Sequence, residues 1–210
     1  MFTLLSLCLG AALGVCMGLY AHHTTVKEAP SDKKATVLGC AIAGALGWLL
    51  SALTAADTLH ALLYGLLFTL LTAVAVIDWR IFEIPNGVNL AILALGAVQL
   101  AMDLGNWKLY IPGMCSVSLL FLALWAVTKG AGLGMGDVKL MAAAGLLLGW
   151  PRTVLAMLLG CILGSVIHLI RMRGGEGKRL AFGPYLSAGI MLAAWWGSSM
   201  ILAYLSLFGL

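Results

Sequence analysis

Residues 59–77 read LHALLYGLLFTLLTAVAVI, an apolar run of nineteen residues that stops at Asp78. An α-helix rises 1.5 Å per residue and a bilayer's hydrocarbon core is about 30 Å thick, so such a run is long enough to cross it. Seven comparable runs flank it, at about 1–21, 36–56, 88–102, 110–128, 138–150, 153–170 and 186–207. The sequence predicts an all-α integral membrane protein, a polytopic helix bundle of about eight transmembrane helices in a single membrane-embedded domain, 1–210. The runs 88–102 and 138–150 are short for a full crossing, so six or seven spans is the alternative count.

Composition supports the same class. Of 210 residues, 62% are apolar and 10% charged, and the mean hydropathy is +1.06. Soluble domains carry about a quarter charged residues, so an ordinary globular domain, a disordered tail and a coiled coil are excluded. The net charge of +4 is therefore read against the spans and not as a nucleic-acid signal. With the amino terminus outside, Lys27, Lys33, Lys34, Arg80, Lys129, Lys139, Arg171, Arg173, Lys178 and Arg179 all fall on the cytoplasmic side. Only Lys108 and Arg152 fall outside, as the positive-inside rule expects.

No Lys or Arg precedes the first run, so the basic start of a cleaved signal peptide is missing and the segment is expected to stay as a span. Pro30, Ser31 and Asp32 mark a break before the second run. Cys8, Cys16, Cys40, Cys115 and Cys161 lie inside apolar runs without a C-x-x-C pair, and read as small packing residues. Adjacent His22 and His23 point about 100° apart on a helix with no third ligand near, so no metal or cofactor is expected. Gly10, Gly14 and Gly18, and again Gly160 and Gly164, recur every four residues, a spacing that permits close helix packing. Most tryptophans fall towards span ends, as an aromatic belt requires.

Six of the eight acidic residues, Glu28, Asp32, Asp57, Glu83, Asp103 and Glu176, fall in loops or at span ends. Asp78 and Asp137 differ, because each stands at the edge of an apolar run, where an ionised carboxylate costs a few kcal/mol and usually serves a function. In the topology above the span ending at Asp78 runs inward and the span beginning near Asp137 runs outward, which predicts one shared depth at the cytoplasmic surface. Two carboxylates that meet can hold a single proton between them, one activating water and the other polarising a carbonyl. Ahead of Asp137, Gly130, Gly132, Gly134 and Gly136 alternate in KGAGLGMGD. That stretch is expected to be non-helical and to let a peptide backbone approach the acid.

Asp78 followed by W-R-I-F-E-I-P-N, then G-M-G-D-V-K from Gly134 to Lys139, then A-F-G-P-Y from Ala181 to Tyr185, resembles the type IV prepilin peptidases. These are membrane aspartic proteases of the G-x-G-D class. The likeness covers about 58–197, the expected peptidase core. It implies removal of a short basic leader from a prepilin, pseudopilin or preflagellin-like substrate at the cytoplasmic face of the inner membrane. It further implies Asp78 and Asp137 as the catalytic dyad, and Gly134 and Gly136 as the leader's access to it. Pro85 and Asn86 would end the loop and start the next span. Trp79 is read equally as a wall of the substrate groove or a belt residue, and Lys139 as a structural lysine pointing away from Asp137. The 22–35 loop has no cysteine, unlike the zinc-binding insertion of many such enzymes, so a compact peptidase without N-methyltransferase activity is expected. Two other classes remain beside this reading: a small proton-coupled transporter using the two Asp as a relay, and a non-enzymatic assembly subunit.

Overall fold

The computed structural model describes residues 2–26, 28, 32–173, 180–207 and 209. Lys27, Pro30, Ser31, Glu176, Lys178 and Arg179, named above for their loops or charges, lie outside the described residues. The chain folds into eight α-helices among those residues: α1 (Phe2–Thr25), α2 (Lys33–Thr54), α3 (Thr58–Ile81), α4 (Asn86–Met102), α5 (Trp107–Thr128), α6 (Met135–Leu148), α7 (Trp150–Arg173) and α8 (Gly183–Ser206). Six of them, all but α4 and α6, are long and apolar enough to cross a membrane. At 17 and 14 residues, α4 and α6 rise only about 26 and 21 Å. The protein is an all-α polytopic membrane protein in which two of the eight expected helices are short.

Its packing falls into two compact units, Met1–Ile84 and Pro85–Leu210. In the first, α1, α2 and α3 all pack on one another. The glycines at four-residue spacing form the seam: a Cβ on Gly14 would strike the Cys40 carbonyl oxygen, and one on Gly18 would lie 2.9 Å from the Val37 Cα. Gly44 answers from α2 against Gly10. Trp48 is buried in this unit and its Nε1 donates to Thr69 Oγ1 at 2.9 Å, the partner a buried indole requires. It is a core residue, not part of an interfacial belt. Of the cysteines, Cys40 packs inside, whereas Cys8 and Cys16 are exposed on α1 and so do not fill the interior as expected.

In the second unit α6 is the central element, packed by α4, α5, α7 and α8 and buried over most of its length. Gly113 of α5 and Gly145 of α6 bring two backbones together, since a Cβ on either would meet the other residue's carbonyl oxygen. Gly160 of α7 lies against Leu186 of α8 in the same manner. Gly149, with φ +77, turns the chain from α6 into α7. A side chain there would be strained by the backbone and would meet Leu109.

Candidate active site

In the first unit Asp78 lies in the last turn of α3 and is buried, at 7% exposure. The helix stops at once: Phe82 takes a left-handed conformation, φ 56, and its N–H donates to the Asp78 carbonyl at 2.9 Å. Two residues past Asp78, the Arg80 guanidinium donates to Thr25 Oγ1 at 3.2 Å and to Thr36 Oγ1 at 2.6 Å. Thr25 ends α1 and Thr36 sits in the first turn of α2, so one cation ties three helix ends together beside the acid. Trp79 is 48% exposed.

In the second unit α5 ends with Lys129 and Gly130 at positive φ, and Gly130 N–H donates back to the Trp125 carbonyl at 2.9 Å. Gly134 is the N-cap of α6, and Met135 begins the helix. Here the structure corrects the sequence reading, because Gly136 is inside the first turn of α6 and not in an irregular stretch. The first four N–H groups of a helix have no intrahelical partner in any case. Asp137 supplies one, its Oδ2 accepting from Gly134 N–H at 3.3 Å, and a carboxylate in a helix's first turn also suits the macrodipole. Asp137 is 7% exposed.

The residues expected to follow the first aspartate also take local places. Pro85 is the N-cap of α4 and Asn86 its first residue, as expected for the start of a helix. Lys139 is exposed while Asp137 is buried, and its Nζ donates to Asn86 Oδ1 at 2.8 Å. One turn into α4, buried Asn89 donates through Nδ2 to the Gly136 carbonyl at 3.4 Å. Thus Asn86, Asn89, Gly136 and Lys139 are brought together where α4 and α6 begin. Sequence reasoning missed Asn89; the signal was a second amide three residues after Asn86, on the same helix face. It also missed the Arg80 clamp, whose threonine partners are far away in the chain.

The other three aspartates have ordinary duties. Asp32 and Asp57 accept from the backbone at the starts of α2 and α3. Asp103 accepts from Tyr110 and Asn106 between α4 and α5. The His60 backbone N–H, and then its ring, hold the Asp57 carboxyl below the usual carboxylate range. Among the described residues Asp78 and Asp137 are the only buried carboxylates. The A-F-G-P-Y stretch opens α8, with Phe182 as N-cap and its ring 6.2 Å from that of Phe121.

The model of the type IV leader peptidase family matches residues 65–169, half of the chain and a span containing both buried aspartates. The chain belongs to the type IV leader peptidase family. It is 30% identical over 183 residues to a prepilin leader peptidase/N-methyltransferase of Pseudomonas putida, covering 82% of this chain and 61% of that protein. The Bacillus subtilis protein of that name is 33% identical over 143 residues, 66% of this chain and 57% of the relative. That of Pseudomonas aeruginosa is 30% identical over 193 residues, 87% and 63%. The chain therefore spans about three fifths of the length of these curated relatives. No solved structure matches it.

Proposed function

We propose that this family member is a membrane aspartic endopeptidase that removes the short basic leader from type IV prepilin-like substrates at the cytoplasmic face of the inner membrane. The observation that carries the reading is the burial of two carboxylates and no others among the described residues, both inside the family match. Burying a carboxylate is costly, and the other described acids are partly or fully exposed or cap a helix.

In this reading Asp78 and Asp137 act as a pair that holds one proton near neutral pH. The ionised member takes a proton from water as that water attacks the scissile carbonyl, while the protonated member donates to the carbonyl oxygen. The tetrahedral species then collapses, the proton passing to the leaving amine. No covalent enzyme intermediate forms. The peptidase core corresponds to 58–197, with Gly134 and Gly136 on the leader's approach and Trp79, Pro85 and Asn86 along the substrate's path. Substrates are prepilins, pseudopilins or preflagellin-like proteins. The loop between α1 and α2 carries no cysteine, which supports leader removal without N-methylation.

The test is incubation of the purified protein in detergent with a prepilin and a methyl-group donor, followed by mass measurement of the product's amino terminus. The wild type yields a shortened, unmethylated product, whereas Asp78→Asn and Asp137→Asn each leave the substrate intact. Cleavage by either variant would overturn the reading. Ion-coupled uptake in proteoliposomes with no peptide product would point instead to a carrier.

A further inference from the structure

Asp78 and Asp137 sit at opposite kinds of helix end. Asp78 is in the last turn of α3, and Asp137 is the third residue of α6. Aligned peptide dipoles make a helix positive at its start and negative at its finish, so a carboxylate's charge is stabilised at the start and opposed at the finish. Hydrogen bonding sharpens the contrast. Asp137 Oδ2 accepts from Gly134 N–H at 3.3 Å, the reach-back bond of a capping box, and such a bond favours the charged form. At the finish of α3 the backbone groups lacking intrahelical partners are carbonyls, which can bond a carboxyl only while it carries a proton.

The charges of each unit divide the same way. Lys129 and Lys139, with Arg171 and Arg173 in the last turn of α7, stand at or beyond the end of the second unit where α6 starts. Other titratable groups toward this end are His168 on α7 and Tyr185 on α8, and α4 has none. The other described side-chain carboxylate of this unit, Asp103, is at the far end of α4. In the first unit, by contrast, Glu28, Asp32 and Glu83 offset Lys33, Lys34 and Arg80 near the end where α3 finishes. There His22 and His23 lie in the last turn of α1, and Cys40 two turns into α2. Arg80 is two residues past Asp78, about 200° round the helix, and its guanidinium is bonded to Thr25 and Thr36. Exposed charges are screened over about 8 Å in physiological salt, so they reinforce the helix-end effect and do not replace it.

We propose that Asp137 carries the charge of the pair and Asp78 its proton. Asp137 is then the base: its carboxylate takes a proton from water as the water oxygen bonds to the scissile carbonyl carbon. Asp78 gives its proton to the carbonyl oxygen. In the collapse that follows, Asp78 takes a proton back from the diol, and the proton held by Asp137 passes to the leaving nitrogen as the C–N bond breaks. Both acids return to their starting states. The assignment rests on the peptidase reading above and fixes which member performs which step.

The first arm of the test needs no turnover. Infrared spectroscopy of the full chain in detergent follows the carbonyl stretch of protonated carboxyls through a pH titration of Asp78→Asn and of Asp137→Asn, each taken against the double variant. Each single variant keeps one member of the pair, so its titration step belongs to that residue. Asp78 is expected to hold its proton to a pH about one unit or more above Asp137. Equal midpoints, or the reverse order, overturn the proposal. The second arm uses a cleavable prepilin. Gly134 has φ −76, which proline adopts, so Gly134→Pro removes the N–H that Asp137 accepts at an unchanged φ. The acidic limb of kcat/KM against pH is expected to move to higher pH in Gly134→Pro and to stay in place in Gly134→Ala, which keeps the N–H. A limb unmoved by proline, or moved equally by alanine, overturns Asp137 as the base. If wild type cuts nothing, the peptidase reading falls, and the titration still decides which acid holds its proton more tightly.

Discussion

Lys139 Nζ donates to Asn86 Oδ1 at 2.8 Å, joining the beginning of α6 to the first residue of α4. With the Asn89 bond to Gly136, it sets the register of two helices that start at the same end and run parallel. It also directs the ammonium to α4, on the side of α6 away from buried Asp137. Lys139 is thus a register element, and its energy is that of an exposed charge-assisted bond.

That bond is measurable by a double-mutant cycle. Asn86→Ala and Lys139→Met are expected to couple by about 0.5–1 kcal/mol, typical of exposed polar pairs. Unfolding in mixed micelles with rising SDS would report it. A coupling energy of zero would show that the register is set by apolar packing alone.

Arg80 is held more tightly, because it satisfies two threonine hydroxyls at once. Arg80→Lys is expected to lose at least one of these bonds, since a point-charge ammonium cannot reproduce the fork. A loss of about 1–3 kcal/mol is expected for a hydrogen bond to a charged group. Thr36→Val should cost a similar amount, and adding it to Arg80→Lys should cost little more. Full additivity of the two would show that they do not share the contact.

The glycine seams predict a contrast between sites. Gly14→Ala and Gly145→Ala each push a Cβ into an opposing carbonyl, and overpacking of that kind costs about 1–3 kcal/mol. Gly39 of α2 has open space around its Cβ position, so Gly39→Ala should raise stability by up to about 1 kcal/mol through helix propensity. Thermal denaturation of the three variants in one detergent ranks them. Equal effects at Gly14 and Gly39 would refute the seam.

Asp57 provides a pH dependence. Its carboxyl is held below the ordinary value of 3.8, first by the His60 backbone N–H. A folded-state pKa lower than the unfolded one means that its stabilisation is complete above the unfolded value and disappears as pH falls through the folded one. Asp57→Ala should therefore lower the melting temperature at pH 7 and make no difference well below pH 3.8. A deficit that persists in acid would assign the effect to something other than this carboxylate.

The helices were legible because the bilayer imposes a minimum length on an apolar run, and residues 59–77 meet it without ambiguity. Asp78 and Asp137 stood out for a related reason, since each is a carboxylate at the edge of such a run. The start of α6 was misread because Gly136 looks like a helix breaker, whereas in a first turn capped by Asp137 its cost is small. Trp48 was not legible as a core residue, because only tertiary pairing with Thr69, twenty-one positions on, sets it apart from tryptophans of an interfacial belt. Asn89 was missed because a membrane helix is apolar on its lipid face and its protein face alike. The periodicity that marks the inward side of a soluble helix is then absent.

The length of α6 has a geometric outcome. Its 14 residues stand among α5, α7 and α8, which have 22, 24 and 24, so its neighbours overtop it by about 12–15 Å in total, shared between its two ends. A post lower than the palisade around it leaves a recess, and a recess above a helix start lined with amides and a carboxylate is a place for water. In the proposed peptidase reading, the attacking water would reach Asp137 from that recess and would need no channel through hydrocarbon.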